Sequence, residues 1–145
     1  MTRTPLPSLR STLRAVERRL GSGVLVKRYE TEATVDSAPG HEGAFLMCSF
    51  WLVDALAHMG ELVEAERRFE QLVAFASQTG LFSEEVDTAT GALLGNYPQA
   101  FTHLALVGAA VNIERARHGH IGVRGLRPGR TVAARSARRQ SKAKG

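Results

Sequence analysis

The sequence predicts an all-α domain of about four helices that together form part of a double ring. Three observations lead there. Apolar runs recur at helical spacing, they alternate between stretches with no polar face and stretches with a single apolar stripe, and the segments joining them are short or extended. A helix that is apolar all round has to be covered all round, whereas a striped helix faces water on one side. An inner ring shielded by an outer ring produces that alternation; a plain four-helix bundle more often gives every helix one stripe.

The first helix is expected over Ser8 to Leu20, with Leu13, Val16 and Leu20 on one face and Gly21 as the stop. An extended loop, VLVKRYETEATVDSAPGH, follows and turns at Pro39 and Gly40. The second helix is expected from Glu42 to Met59, closed by Gly60. Ala44, Phe45, Leu46, Met47, Cys48, Phe50, Trp51, Leu52 and Val53 leave it no polar face, so Trp51 reads as core. The third, Glu61 to Ser77, carries Leu62, Ala65, Phe69, Leu72, Val73 and Ala76 as a stripe and Glu64, Glu66, Arg67, Arg68 and Glu70 opposite it. The fourth, Pro98 to Arg117, opens on a proline at a helix-start position and is again apolar across FTHLALVGAAVNI, where His103 is expected to satisfy a buried hydrogen bond. Two enclosed helices with one amphipathic neighbour leave apolar surface uncovered. The chain therefore reads as part of something larger, completed by a separately encoded portion or by self-association.

A chain of 145 residues suffices for one modest domain and is too short for a large barrel. Residues 1–117 are read as that domain. No apolar run reaches the roughly 18 residues of a membrane span, and the arginine-bearing N-terminal stretch has no apolar signal core, which points to a cytoplasmic address. Charge is divided unevenly. Ten of the 19 basic residues and none of the 14 acids fall within 115–145, leaving nine bases against 14 acids in 1–114, a net of −5. Residues 118–145 are glycine-bearing, basic and without apolar period, which predicts a disordered tail. The tail contains no aromatic residue on which bases would stack, which argues against nucleic-acid binding. Cys48, the single cysteine, lies in AFLMCSFWLV and reads as a small buried hydrophobe. With no CxxC, HExxH or GxGxxG pattern, no metal or other cofactor is expected.

The chemistry-bearing stretch is GLFSEEVD, which sets Glu84 and Glu85 side by side between two apolar helical runs. Adjacent residues in an extended or turn segment project in different directions, so these two cannot flank one bond as an acid/base pair. Glu42, in GHEGAF at the expected start of the second helix, is either a charge favourable to the helix dipole or a contact for a polar ligand.

The segments RYETEATVDSAPGHEGAFLMCSFWLVDAL, GLFSEEVDTATG and LGNYPQAFTHLALV resemble the C-terminal part of glycoside hydrolase family 15, which contains glucoamylases and related trehalases. The resemblance covers roughly residues 8 to 114 and implies a partial (α/α)6 barrel, or toroid, with extended inter-helix loops. It also implies hydrolysis of an α-glucosidic bond with inversion. On that resemblance Glu84, directly after Ser83, is the general base, and Glu85 is a structural or solvated charge. Glu42, Arg28 and Tyr29 lie where loops and inner-helix starts reach the sugar, so they are the expected substrate-binding residues. The family's general acid belongs to an earlier segment that nothing in residues 1–41 resembles. Since proton donation to the leaving group contributes about 10²–10⁴-fold, the chain alone is expected to be nearly inert. The reading from another class is a non-catalytic helical remnant that binds a partner.

Overall fold

The computed structural model describes residues 6–30 and 42–121, with side chains from Leu9 onward. The turn expected at Pro39 and Gly40 and most of the expected tail lie outside the described residues. Four helices are present among them, α1 (Leu6–Leu20), α2 (Leu46–His58), α3 (Leu62–Val73) and α4 (Ala100–Arg117). Five two-residue strands join them: β1 (Gly21–Ser22), β2 (Leu25–Val26), β3 (Ala44–Phe45), β4 (Glu85–Val86) and β5 (Leu93–Leu94). The architecture is mostly helical rather than purely so, because the expected extended loops pair with one another. β1 and β2 make an antiparallel hairpin, and β3, β4 and β5 an antiparallel sheet in that order.

Helix α2 is the centre of the packing, with α4 and α3 against it. Leu46, Phe50, Leu52, Val53, Leu56 and Ala57 of α2 are buried, and Phe50 meets Phe69 of α3 and Phe82 edge-on with ring centroids 5.9 and 5.8 Å apart. Helix α3 behaves as its stripe demands: Ala65 and Leu72 are buried while Glu64 and Arg67 pair in solvent. Arg68 bridges from α3 to Glu17 of α1, and Leu13, Val16 and Leu20 of α1 pack on the core. Among the described residues no helix is long and apolar enough to cross a membrane.

Several expectations are corrected. Helix α2 begins at Leu46, not Glu42, because Ala44 and Phe45 pair with Val86 and Glu85 as strand. Glu42 therefore does not cap a helix. Trp51 is 56% exposed rather than core. Helix α4 starts two residues past Pro98, and only Thr102, Ala105, Ala109 and Ile113 of it are buried. Phe101, Leu104, Val107 and Val111 form an exposed apolar stripe on the same helix. Apolar composition marked α2 and α4 as needing cover; part of that cover is absent from the described residues.

Candidate active site

Residues 82–86 run as a rail held at nearly every backbone group. The Phe82 carbonyl accepts from Gln99 N–H at 2.9 Å, and the Phe82 N–H donates to His103 Nε2 at 3.3 Å. Thr102 Oγ1, fully buried, donates to the Ser83 carbonyl at 3.0 Å, and Ser83 Oγ donates to the Glu85 carbonyl at 2.7 Å. The Glu84 N–H donates to the Asn96 carbonyl at 2.9 Å, and the Glu84 carbonyl accepts from Leu46 N–H, the first residue of α2, at 3.1 Å. Buried backbone groups of an irregular segment need such partners, and here α2, α4 and the loop after β5 supply them. His103 is as expected, with Nδ1–H donating to the Gln99 carbonyl at 2.7 Å, which leaves Nε2 as the acceptor.

The two adjacent carboxylates separate. Glu85 Oε2 accepts from Gly43 N–H at 2.8 Å and ties β4 to the segment entering β3. A side chain at position 43 would come within 2.7 Å of the Val86 carbonyl, so glycine permits that approach. Glu84 turns to the loop after β5, where Oε2 accepts from both Asn96 N–H at 3.1 Å and Asn96 Nδ2 at 2.8 Å. Glu84 is half-buried, and its Oε1 bonds to none of the described residues.

Arg28, Tyr29 and Glu42 are brought together next to this sheet. The Arg28 guanidinium donates to Tyr29 Oη and to Glu42 Oε1, each at 3.0 Å, and stacks over Tyr29 and Phe45 at 4.7 and 4.5 Å. Arg28 lies over the ring of Phe45, whose register partner is Glu85, so the cluster sits against β3 while Glu84 precedes β4. Tyr29 raises the Arg28 pKa by hydrogen bonding, and Glu42 raises the Tyr29 phenol above its usual value, against the opposing pull of Arg28. A guanidinium, a phenol and a carboxylate beside a ring are groups that sugar hydroxyls can bond and stack on.

Cys48 is half-buried, and burial raises its thiol pKa, which keeps it a thiol rather than a nucleophile. No group of three or more His, Cys, Asp or Glu side chains among the described residues is arranged to hold a metal ion. Sequence reasoning assigned no role to Asn96 or Gly95. Their only signal was the GN step inside LGNYPQ, a turn pair that tolerates left-handed backbone.

Comparison with known proteins places residues 1–111 under the family model "Glycosyl hydrolases family 15". A trehalase of Mycolicibacterium smegmatis is 48% identical over 110 residues, covering 76% of this chain and 16% of that protein. A trehalase of Mycobacterium tuberculosis is 47% identical with the same coverage, and one of Thermoplasma acidophilum 39% identical over 106 residues, 72% of this chain and 18% of that protein. The chain thus spans about one sixth of the length of these relatives. No solved structure matches it significantly.

Proposed function

Because the chain belongs to glycosyl hydrolase family 15, we propose that it contributes the general-base side of an inverting α-glucoside hydrolase, with the four helices of the described residues forming part of an (α/α)6 toroid. Glu84 takes the proton of the water that attacks the anomeric carbon, and Arg28, Tyr29 and Glu42 hold sugar hydroxyls. The observation that carries this reading is the carboxylate of Glu84, which is anchored through one oxygen on a fixed rail and has no bond from the described residues at the other. An inverting base needs an ionised carboxylate with room for water, about 6.5–9.5 Å from the acid. The acid comes from the remaining length of the family, and a polypeptide carrying that length covers the Phe101, Leu104, Val107 and Val111 stripe of α4. Without that portion the chain is nearly inactive, since it holds one half of the proton chemistry.

The same stripe favours one other reading, a helical module that docks a partner without turnover. One experiment separates them. The full chain is co-expressed with the M. smegmatis trehalase lacking the 110 residues that the chain matches, and hydrolysis of trehalose, the glucoside in the relatives' name, is followed by NMR of the product anomer. Inverted product, with roughly 10²–10⁴-fold loss in Glu84→Gln and far less in Glu85→Gln, is the expected result. Assembly without turnover would favour the module, and retained configuration or equal losses would remove the base assignment.

A further inference from the structure

We infer that Asn96 and Gly95 are positioning residues that hold one oxygen of Glu84 so that the other, Oε1, accepts the proton. The inference rests on the base reading of Glu84 and adds to it which oxygen works and what fixes it.

Both polar hydrogens that Asn96 aims at Glu84 go to the same atom. Its N–H reaches Oε2 at 3.1 Å and its Nδ2 at 2.8 Å, while its carbonyl takes the Glu84 N–H at 2.9 Å. A carboxylate oxygen offers two in-plane lone-pair sites, so Oε2 is filled by one residue and Oε1 keeps both sites for water. The bonds also survive the reaction. As water attacks, the new C–O bond forms at the anomeric carbon while the glycosidic C–O bond breaks and its oxygen leaves with the proton of the general acid from the remaining length of the family; one O–H bond of the water breaks, and that proton goes to Oε1. Oε2 then becomes the carbonyl oxygen of a neutral acid and still accepts both N–H groups. The base changes charge without having to let go of its anchor, which limits reorganisation at the moment of attack.

Gly95 completes the holder. It sits at φ +70°, and a methyl group there would stand 2.9 Å from both Cβ and Oε2 of Glu84. The carboxylate lies against bare backbone, and both the left-handed conformation and the close approach require glycine. The residue pair immediately follows β5, whose Leu94 is paired with Glu85, so the holder and the held carboxylate flank the same end of two paired strands.

The test has two arms. In the ¹⁵N-labelled full chain by itself, the Asn96 side-chain amide should resonate apart from solvent-exposed amides and join them in Glu84→Ala. In the co-expressed assembly with the truncated M. smegmatis trehalase, Asn96→Ala should lower kcat by about 10–100-fold with KM within about threefold, as expected for a misplaced base. Asn96→Gln, which keeps the amide one methylene further out, should recover part of that loss, and Gly95→Ala should resemble Asn96→Ala. Melting temperatures of the variants identify any that fails to fold, and Asn96→Gln then stands for Asn96→Ala. An assembly that Glu84→Gln silences but Asn96→Ala leaves at wild-type kcat would overturn the positioning role alone. An exposed-type Asn96 amide in the wild-type chain would do the same. An assembly that is inactive, or indifferent to Glu84→Gln, would overturn the base reading and this inference with it.

Discussion

Replacing Thr102 by Val should destabilise the fold by about 1.5 kcal/mol although the two side chains have nearly the same volume. Thr102 is fully buried on α4, and its hydroxyl is the partner of the Ser83 carbonyl at 3.0 Å. Valine fills the same space, so no cavity contributes; the cost is a buried carbonyl left without a donor, partly offset by one more buried methyl at ~0.8 kcal/mol. A net loss near 1.5 kcal/mol corresponds to a urea midpoint about 1 M lower for a slope of ~1.5 kcal/mol/M. Thr102→Ser is the control, since it keeps the hydroxyl and loses one methyl, about 1 kcal/mol. The two differ in where they act. Hydrogen exchange at Glu84 N–H and Leu46 N–H should accelerate in Thr102→Val beyond the global change and should not do so in Thr102→Ser. A Val variant as stable as the wild type, or one with unaltered local exchange, would refute the view that this bond fixes the rail under Glu84.

Phe50→Ala removes the largest fully buried side chain among the described residues and its edge contacts with Phe69 and Phe82; a loss of about 3–5 kcal/mol is expected by urea denaturation, and under 1 kcal/mol would contradict the core assignment. Leu104→Glu alters a side chain that is 66% exposed, so stability should stay within ~0.5 kcal/mol while light scattering shows less self-association than wild type. A large drop in melting temperature would mean instead that the α4 stripe is covered within the chain. Glu64 is held at about 2, first by its hydrogen bond to Arg67 and then by Arg68. Its folded pKa lies below the unfolded one, so its contribution is present above about 4.5 and fades as the pH falls towards 2. These groups are partly solvent-exposed, so Glu64→Gln should cost only ~1 kcal/mol or less at pH 6. The two proteins should converge near pH 2, and a constant gap would refute the linkage.

Helix existence was legible because it depends on local spacing. The stripe of α3 and the packing face of α1 follow from i, i+3 and i+4 positions alone. The start of α2 was not legible, because what keeps Ala44 and Phe45 extended is a strand some 40 residues away. Composition marked α4 as apolar but could not say which side is bare, since Ala105 and Leu104 differ in what lies opposite them rather than in kind. Of the site, the resemblance singled out Glu84, Glu42, Arg28 and Tyr29. The bonds to Asn96 and Gly43 were invisible, because they depend on which strands meet.

The pairing of β3, β4 and β5 has a consequence for how this chain tolerates change in length. Glu84 and Glu85 differ in partner only through the alternation of the strand they enter. Parity, rather than residue type, therefore decides which carboxylate meets Asn96 and which meets Gly43. Deleting one residue between Phe82 and Glu84 would set Glu85 opposite Asn96 and draw Val86 out of its buried place, and adding one would set Glu84 against Gly43 and push Glu85 into that place, with composition and charge nearly untouched. A two-residue insertion would restore the alternation but overrun strands only two residues long. The stretch is thus one in which substitutions are graded and length is all or none.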